Sequence, residues 1–348
     1  MTDDVVRISK ADLLSFSAKI FAAAGIDRAT AEQWANVLVW ANLRGVDSHG
    51  VMRIPRYLEL LDRKAINAKP AMRLEKCSGA IAVLEANLAP GPMAMTRAVD
   101  EALGRAREVH VGWCAARNIT HAGAIGFYAI KVAEAGMAGI VMAASGPMMA
   151  YHGARVAGVS TNPLAIAVPG KVHPPFLLDM STSTVANGKV LNARDAGKAV
   201  PVGWGIDADG RDTTDPHKIK TLLPLGGAKG SSLSFMIECL LSLATSNPLV
   251  APALARGGTA ESPVLNGVVI AVDLDALGSF ETFTSEVDRL GSAIAALPRA
   301  DGVERVLLPG ERGDGMRKER EASGIPIAKG TWSRLRAAAD KVGVTAPA

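Results

Sequence analysis

The chain lacks the marks of several common protein classes. Its 348 residues hold three cysteines, Cys77, Cys114 and Cys239, with no CxxC pair, so neither a disulfide framework nor a cysteine-based zinc site is expected. The first four residues, MTDD, are acidic where a secretory signal is basic. No stretch reaches the roughly 20 apolar residues that cross a bilayer. These absences predict a soluble, cytoplasmic protein with reduced thiols and no membrane partner.

The chain also has little excess charge of either sign and few aromatic side chains. The net charge is +4, and 4% of the residues are aromatic. Because recognition of single-stranded nucleic acid uses basic patches and aromatic stacking platforms, no nucleic-acid partner is predicted. The 49% hydrophobic content supports a large folded core. The mild positive charge suits a small anionic substrate or cofactor.

Several common active-site motifs are missing. A Rossmann dinucleotide fingerprint requires G-x-G-x-x-G before a helix, whereas the GWG at 203–205 is followed by Gly210 and no helical pattern. The GGAKGSS at 226–232 has the wrong residue order for a P-loop. No GxSxG elbow occurs, and adjacent Ser48 and His49 are expected to point apart, which argues against a Ser–His hydrolase. The histidines show no metal-ligand spacing, so no metal site is predicted.

Apolar periodicity predicts a helical N-terminal region. One helix is expected from Ser9 to Gly25, and a second opens at Thr30, whose TAEQ sequence has the capping-box form. A third segment covers 48–63. The NAKP at 67–70 then breaks the pattern and marks a domain boundary.

Beyond residue 72, short apolar strands alternate with helices, which is typical of an α/β fold with a buried sheet. The predicted strands are 80–84, 111–116, 140–144, 164–168, 176–178 and 268–272, and the predicted helices are 91–108, 124–135, 231–244 and 280–297. In the C-terminal tail, Thr331 is expected to cap a last helix that returns to the N-terminal helices. The predicted domains are a helical one formed by 1–71 and 311–348 and an α/β one formed by 72–310.

The segment 44–57, RGVDSHGVMRIPRY, gathers an imidazole, a serine hydroxyl and three guanidiniums within fourteen residues. His49 can exchange a proton near neutral pH, and Arg53 can hold a carboxylate through two parallel hydrogen bonds. These groups suit oxidation of a 2-hydroxy acid or reduction of a 2-oxo acid, although Ser48 and His49 alone could equally cap a helix. A continuous helix would place His49 and Arg53 on one face. Because Pro55 favours a later helix start, we predict their proximity without that geometry.

Two further places are ambiguous from the residues alone. His121 follows a predicted strand and precedes small residues, where a histidine either meets a ligand or serves the structure. The glycine-rich loop 226–232 precedes an apolar helix, so backbone N–H donors and Lys229 would suit a phosphate. An ordinary loop with a solvated lysine has the same composition.

Six motifs together are similar to those of the malate/L-lactate dehydrogenase family that is unrelated to the Rossmann-type enzymes. They are RGVDSHGVMRIPRY at 44–57, NITHAGAIGFYA at 118–129, STNPLAIAVP at 160–169, LLDMSTSTVANGKV at 177–190, LPLGGAKGSSLSFMIE at 223–238 and LLPGER at 307–312. The family includes sulfolactate and ureidoglycolate dehydrogenases, diketogulonate reductase and cyclic-imine reductases. The resemblance covers nearly the whole chain. It implies a homodimeric NAD(P)-dependent oxidoreductase of small 2-hydroxy or 2-oxo carboxylic acids, with its active site near the subunit interface.

The fold that this resemblance implies is a non-Rossmann NAD(P)-binding α/β domain with a mixed sheet, plus a helical domain formed by the N- and C-terminal segments. By position, His49 matches the family's proton donor or acceptor, with Ser48 beside it, and Arg53 matches the carboxylate clamp. In the ureidoglycolate branch the histidine that matches His121 is the base, so both histidines stay candidates, with His49 favoured. Thr161 matches a substrate contact. The implied cofactor-binding residues, for NAD or NADP, are His121, Ser145, Asp179, Met180, Ser181, Lys229, Pro309, Gly310, Glu311 and Arg312.

Lys189, also kept in the candidate catalytic set, stands where cyclic-imine reductases carry an aspartate that completes their Ser–His relay. A lysine cannot accept the imidazole proton in that role, which favours hydroxy-acid chemistry. The segment 143–152 is also unlike that of the commoner members, so the natural acid stays open. A cyclic-imine reductase is the alternative function, and a non-catalytic ligand-binding homologue is a weaker one.

Overall fold

A seven-stranded mixed sheet forms the centre of the computed structural model, which describes residues 5–195, 197–258 and 263–347. The strands are β1 Val5–Ile8, β2 Arg73–Ser78, β3 Ile81–Ala89, β4 Val111–Ile119, β5 Met137–Ala144, β6 Met149–Ala150, β7 Ala157–Val159, β8 Leu164–Val168, β9 Phe176–Met180, β10 Gly205–Ile206, β11 Thr221–Leu222, β12 Leu265–Asp273 and β13 Ile325–Ala328. The central sheet has the order β2-β3-β4-β12-β5-β8-β9. β3 and β4 pair in parallel, and the other neighbours pair antiparallel.

Helices surround this sheet and form the rest of the fold. They are α1 Lys10–Ala23, α2 Arg28–Leu43, α3 Ile54–Asp62, α4 Gly91–Val109, α5 Gly126–Glu134, α6 Asn187–Asp195, α7 Ala228–Glu238, α8 Val250–Ala255, α9 Phe280–Ala295, α10 Glu311–Ser323 and α11 Lys329–Lys341. A π-helical turn, Cys239–Leu243, continues α7, and two 3₁₀ turns, Asp47–His49 and Val51–Arg53, lead into α3. Across the described ranges, no helix combines the length and apolar character needed to cross a membrane.

Both faces of the central sheet are covered, which explains why its inner strands are almost wholly apolar. On one face, α4 and α5 pack over side chains such as Val141 and Val269. On the other, Ile237 of α7 and Leu241 of the π-helical turn pack over Val268. Because successive strand residues point to opposite faces, one strand such as β12 contributes to both cores. The sheet is thus a buried middle layer.

The two ends of the chain share a separate core. β1 pairs antiparallel with β13, and α11 packs against α3. Trp34 is fully buried and stacks on Phe21 with ring centroids 4.2 Å apart. These contacts bring the C-terminal tail back to the N-terminal helices. α2 joins the two cores because it also contacts α4 and α5.

A four-stranded sheet, β10-β11-β6-β7, lies apart from the central one. Its small core contains Met149, Val159 and Leu222 together with Val190 of α6. This packing anchors α6, which in turn contacts the first 3₁₀ turn.

The predicted α/β class with a mixed sheet is confirmed, and each predicted strand and internal helix overlaps an observed one. Two helix starts were wrong. α2 begins at Arg28 because Asp27, and not Thr30, is the N-cap: its carboxylate accepts from Thr30 N at 3.1 Å. α11 begins at Lys329 with Ala328 at the cap, so Thr331 lies inside the first turn. β1 and β13 were missed because each is a short strand whose pairing partner lies at the other end of the chain.

Candidate active site

The motif 44–57 forms a compact turn. α2 ends with Arg44 as its C-cap, and two 3₁₀ turns then precede α3, which begins at Ile54 with Pro55 in its first turn. The segment 48–63 is therefore not one helix, and its helix starts one residue before the predicted Pro55. The break follows from Gly50, whose extended backbone packs so closely on Asn42 that a β-carbon there would overlap the amide.

Buried Asn42 holds this turn in shape. Its Oδ1 accepts from Val51 N at 2.9 Å, and its Nδ2 donates to Asp47 at 2.7 Å. Asp47 in turn binds the guanidinium of Arg320, which approaches from α10. The backbone that carries Ser48 and His49 is thus fixed by hydrogen bonds from both sides.

Ser48 and His49 face each other, and the expectation that they point apart was wrong. The serine Oγ lies 3.0 Å from His49 Nδ1. Both atoms are only a few bonds from the backbone, so the tight 3₁₀ turn brings them together. Ser48 is buried under Gly188 of α6, where any side chain would overlap its β-carbon.

His121, just after β4, lies beside His49 with ring centroids 5.4 Å apart and planes 26° apart. Its Nδ1 accepts from Gly123 N at 3.2 Å and lies 2.8 Å from the hydroxyl oxygen of Tyr57. Since the backbone N–H can only donate, Nδ1 carries no proton in the neutral ring, and the proton resides on Nε2. Tyr57 therefore donates to Nδ1 as well, and His121 presents an N–H at its other edge.

Arg53 supplies the positive charge of this group. Its Nε donates to Ser48 O at 2.7 Å. Burial, and secondly the Arg53 charge, lower the pKa of His49 to about 4. Burial first, then Arg53 and then His49, hold the pKa of His121 well below its usual value. Burial raises the pKa of Tyr57, so its phenol stays a donor.

This group is not sealed within the core, and we name the solvent-accessible space that it borders the cleft. His49, His121 and Arg53 keep partial solvent exposure although protein surrounds them closely. Two neutral imidazoles and one guanidinium thus converge on accessible space. Such a group is suited to bind a carboxylate and to exchange a proton with its neighbouring oxygen.

Asp179, at the end of β9, marks the predicted cofactor region. Its Oδ2 accepts from Gly126 N, at the start of α5, at 3.1 Å. Burial raises the pKa of this carboxyl to about 6, opposed by the Gly126 hydrogen bond and by the charge of Arg44. Asp179 nevertheless remains exposed to solvent. Next to it, Met180 is half-buried and Ser181 bonds to Ser183.

The segment 309–312 lies along the same strand. Pro309 O accepts from Leu177 N of β9 at 3.2 Å, and Gly310 O accepts from Arg44 at 2.9 Å. Glu311 bonds to Leu308 N, and Arg312 is exposed. The structure therefore brings Asp179 and this segment to one edge of the central sheet.

The glycine-rich loop before α7 differs from the predicted phosphate cradle. Gly226 and Gly227 have φ of +58° and +62°, as glycine allows. The amides of Lys229 and Gly230, however, already donate to carbonyls of the loop itself. The exposed side chain of Lys229 stays available to a ligand. Next to the loop, the buried hydroxyl of Thr182 has no partner among the residues described.

The remaining predicted residues lie at the edges of this region. The hydroxyl of Ser145 bonds to that of Ser160, and half-buried Thr161 bonds to Met148. Lys189 is exposed on α6, next to the glycine that covers Ser48. Its side chain makes no hydrogen bond or ion pair within the described ranges. Those ranges also contain no group of three or more His, Cys, Asp or Glu side chains that could hold a metal ion.

Sequence reasoning missed the residues that orient the predicted ones. Tyr57 stands in the quoted motif 44–57, so a search for donors near His121 had a signal to follow. Asn42 and Arg320 carried none, because a buried amide and a charged helix residue are unremarkable until their partners are known. Their roles depend on contacts with Asp47 that only the folded chain makes.

Comparison with known proteins agrees with this architecture. The family model described as malate/L-lactate dehydrogenase matches residues 8–336. A malate dehydrogenase of Pyrococcus horikoshii is 33% identical over 98% of this chain and 97% of its own length. A ureidoglycolate dehydrogenase (NAD(+)) of Escherichia coli O157:H7 is 30% identical over 95% of each.

Two solved structures have the same fold over nearly their full length. Sulfolactate dehydrogenase from Methanocaldococcus jannaschii superposes with a TM-score of 0.88 at 32% identity, covering 98% of both chains. Delta1-piperideine-2-carboxylate reductase from Pseudomonas syringae gives 0.84 at 29% identity, covering 96% of this chain and 99% of its own. From the family match and these full-length similarities, we conclude that the chain belongs to the malate/L-lactate dehydrogenase family.

Proposed function

We propose that this protein transfers a hydride between a nicotinamide cofactor and C2 of a small 2-hydroxy or 2-oxo carboxylic acid. The observation that carries the proposal is the cleft in which Arg53 lies beside the two neutral imidazoles of His49 and His121. A guanidinium binds a carboxylate with two parallel hydrogen bonds. The oxygen on the adjacent carbon then faces groups that can donate or accept its proton.

The two histidines have different roles in this proposal. His121 is a fixed donor, because Gly123 N–H keeps its Nδ1 unprotonated and leaves the proton on Nε2. His49 carries the proton, because its Nδ1 faces the Ser48 hydroxyl, which can donate or accept as the ring changes state. A neutral His49 removes the hydroxyl proton during oxidation, and the protonated ring returns it during reduction. Lys189 stays a weaker candidate, because it is exposed and unpaired in the described part of the chain.

The residues next to the cleft fit a nicotinamide dinucleotide. Asp179 offers a carboxyl group for hydroxyl or amide donors, and Lys229 offers a charge for phosphate. The buried hydroxyl of Thr182 has no partner in the described part of the chain. When bound, the nicotinamide supplies or accepts the hydride. We propose that the residues holding it are His121, Ser145, Asp179, Met180, Ser181, Lys229, Pro309, Gly310, Glu311 and Arg312. The relative named for NAD(+) supports such a cofactor, and both NAD and NADP are proposed for testing.

The decisive experiment follows absorbance at 340 nm with NAD and NADP against malate, lactate, sulfolactate and ureidoglycolate, and with the matching oxo acids in reverse. Arg53→Met is the paired variant. Turnover with at least one acid, with a KM for that acid raised strongly by the variant, is the expected result. Absence of turnover with every acid would reject the proposal, as would turnover that is unaffected by the loss of the guanidinium.

Cyclic-imine reduction is the second candidate function. The similarity to delta1-piperideine-2-carboxylate reductase favours it, since that substrate also bears a carboxylate on the reacting carbon. Lys189 disfavours it, because this lysine stands where the imine reductases carry an aspartate. Reduction of the cyclic imine without turnover of any hydroxy acid would select this alternative.

We also propose a homodimer. Phe235, Met236, Leu240 and Leu243 are exposed along α7 and its π-helical turn. They lie at spacings that place them on one face, and apolar side chains in such a patch are typical of a subunit contact. Light scattering of the purified protein tests this, with Leu240→Asp expected to shift the dimer towards monomer.

The proposed location is the cytoplasm, where the exposed free thiol of Cys77 stays reduced.

The division into two domains is likewise proposed. The core shared by the chain ends corresponds to 1–71 with 311–348, and the core around the central sheet corresponds to 72–310. The cleft of His49 and His121 lies between residues that belong to the two cores. Limited proteolysis that cuts near 67–70 before other sites would support this boundary.

A further inference from the structure

Helix α10 is bound to the motif turn near both of its ends by ion pairs whose arginines are buried. Near its N-terminus, Asp314 pairs with Arg44, which caps α2. Near its C-terminus, Arg320 pairs with Asp47 through two bonds of 2.7 and 3.2 Å and also donates to Asn42 O. The pairs are reciprocal: each partner gives one arginine and one aspartate. We name these four residues, Arg44, Asp47, Asp314 and Arg320, the α10 clamp.

Both guanidiniums of the clamp are buried. The side chain of Arg44 is 6% exposed and that of Arg320 is 8% exposed. Buried ion pairs contribute little net stability, because removing charges from water offsets their attraction. The pairs matter more for geometry than for stability, because each pair fixes the direction as well as the distance between its two side chains. A pair at each end therefore fixes how α10 lies on the turn.

The N-terminal end of the clamp holds the proposed cofactor segment. Arg44 donates to Gly310 O at 2.9 Å, and its guanidinium fills the space above Gly313, where a β-carbon would lie 2.7 Å from Nη2. The same guanidinium lowers the pKa of Asp179 against the effect of burial. It also lies over the Trp40 ring, 5.2 Å from its centroid. Arg44 thus contacts the segment 309–312 and acts on Asp179 from the helical side.

The C-terminal end of the clamp holds the proposed proton carrier. Arg320 binds Asp47, which opens the 3₁₀ turn that carries Ser48 and His49. Asp314 and Arg320 are six residues apart, which is about 9 Å along a helix axis. One short rigid helix therefore links the cofactor segment to the turn that bears the reacting histidine.

We infer that the α10 clamp positions the catalytic turn relative to the cofactor segment, with Arg44 acting on cofactor binding and Arg320 acting on the proton-transfer step. This inference rests on the proposed function. None of the four residues is among the groups proposed to bind the substrate or to move its proton, so all are positioning residues. Because each ion pair holds only the segment next to it, loosening one end changes one kinetic step more than the other.

The test compares Arg44→Met and Arg320→Met with Arg317→Met, which removes an arginine on the same helix from an exposed position. Asp314→Asn and Asp47→Asn are isosteric variants that disrupt the same pairs if an arginine variant fails to fold. Hydrogen–deuterium exchange of the full-length protein reports the local effect without any ligand. Titration with NADH and NADPH gives the cofactor Kd, and steady-state rates at saturating cofactor give kcat.

Arg44→Met and Asp314→Asn should speed exchange in 307–314 and raise the cofactor Kd, with kcat changed by less than about twofold. Arg320→Met and Asp47→Asn should speed exchange in 44–53 and lower kcat, with the Kd nearly unchanged. Effects on the order of 10- to 100-fold are expected, since displacements near 1 Å have such consequences. Arg317→Met should match the wild type.

The inference is overturned if variants at both ends change Kd and kcat by similar factors, or if faster exchange spreads over both segments in every variant. Behaviour of all variants like that of Arg317→Met would overturn it as well. Failure of the wild type to bind either dinucleotide rejects the proposed function instead. In that case hydrogen–deuterium exchange still shows whether the Arg44–Asp314 pair fixes 307–314 and the Arg320–Asp47 pair fixes 44–53.

Discussion

Replacement of each cleft histidine by glutamine separates a proton carrier from a fixed hydrogen-bond donor. Glutamine cannot titrate, so it cannot move a proton, but its amide N–H occupies roughly the place of an imidazole Nε2–H. His49, whose Nδ1 faces the reversible Ser48 hydroxyl, is the proposed carrier. His121, whose Nδ1 accepts from Gly123 N at 3.2 Å, is the proposed donor.

The expected loss is larger for His49→Gln than for His121→Gln. General acid–base catalysis contributes roughly 10²–10⁴-fold, so His49→Gln should lower kcat by that factor in both directions. His121→Gln keeps a donor with imperfect geometry, and a weakened hydrogen bond of about 0.5–1.5 kcal/mol corresponds to roughly 2- to 13-fold. The difference follows from the hydrogen bonds at each Nδ1 and not from the types of residue.

The assay is a single-turnover measurement with saturating cofactor, which removes product release from the rate. His217→Gln, at an exposed position, is the matched control, and circular dichroism checks folding. A loss of 10²-fold or more in His121→Gln, together with less than tenfold in His49→Gln, would refute the assignment. The same pattern would transfer the proton-carrier role to His121.

Three further predictions concern pH dependence, packing and cofactor binding. In reduction His49 must be protonated, so kcat/KM should fall above its free-protein pKa of about 4. The fall of kcat should occur at a higher pH, because a bound substrate carboxylate offsets the Arg53 charge and so raises the pKa of His49 in the complex. If kcat and kcat/KM fell at the same pH, this explanation would be contradicted. Gly188→Ala should lower kcat on the order of tenfold, because the added methyl group displaces Ser48. The cofactor Kd, measured by titration, should stay unchanged. An unchanged kcat would argue against a role for the serine. Cofactor affinity should weaken below pH 6, where the Asp179 carboxyl becomes protonated, and calorimetry of Asp179→Asn should show that this dependence is lost.

Local patterns in the sequence carried much of the fold. The strand 164–168 was predicted with its observed bounds, and the helix 91–108 ended one residue early. Both are signalled by apolar periodicity over a few neighbouring residues, which needs no knowledge of distant contacts. The helix starts at Thr30 and Thr331 were wrong for the opposite reason, because several residues near each start can cap, and packing selects among them.

The motif 44–57 placed Ser48, His49 and Arg53 in one short segment, and the resemblance to known motifs added His121. The sequence could not show that Ser48 faces His49, because the direction of neighbouring side chains depends on the turn that Gly50 and Asn42 impose. It also left open which histidine is the proposed proton carrier. The proposed distinction depends on the hydrogen bonds that Ser48 and Gly123 make at each Nδ1, and these bonds follow from the backbone geometry of the two turns.

The sequence by itself therefore determined most of the central strands and helices, the family and the chemical groups available for catalysis, since these are encoded in short stretches. The tertiary structure decided how those groups are oriented and charged. Tyr57 and His121 are 64 residues apart, and Arg44 and Asp314 are 270 apart. Such pairings form only when the chain closes on itself. Burial then lowers or raises each pKa by removing water, which no local pattern specifies.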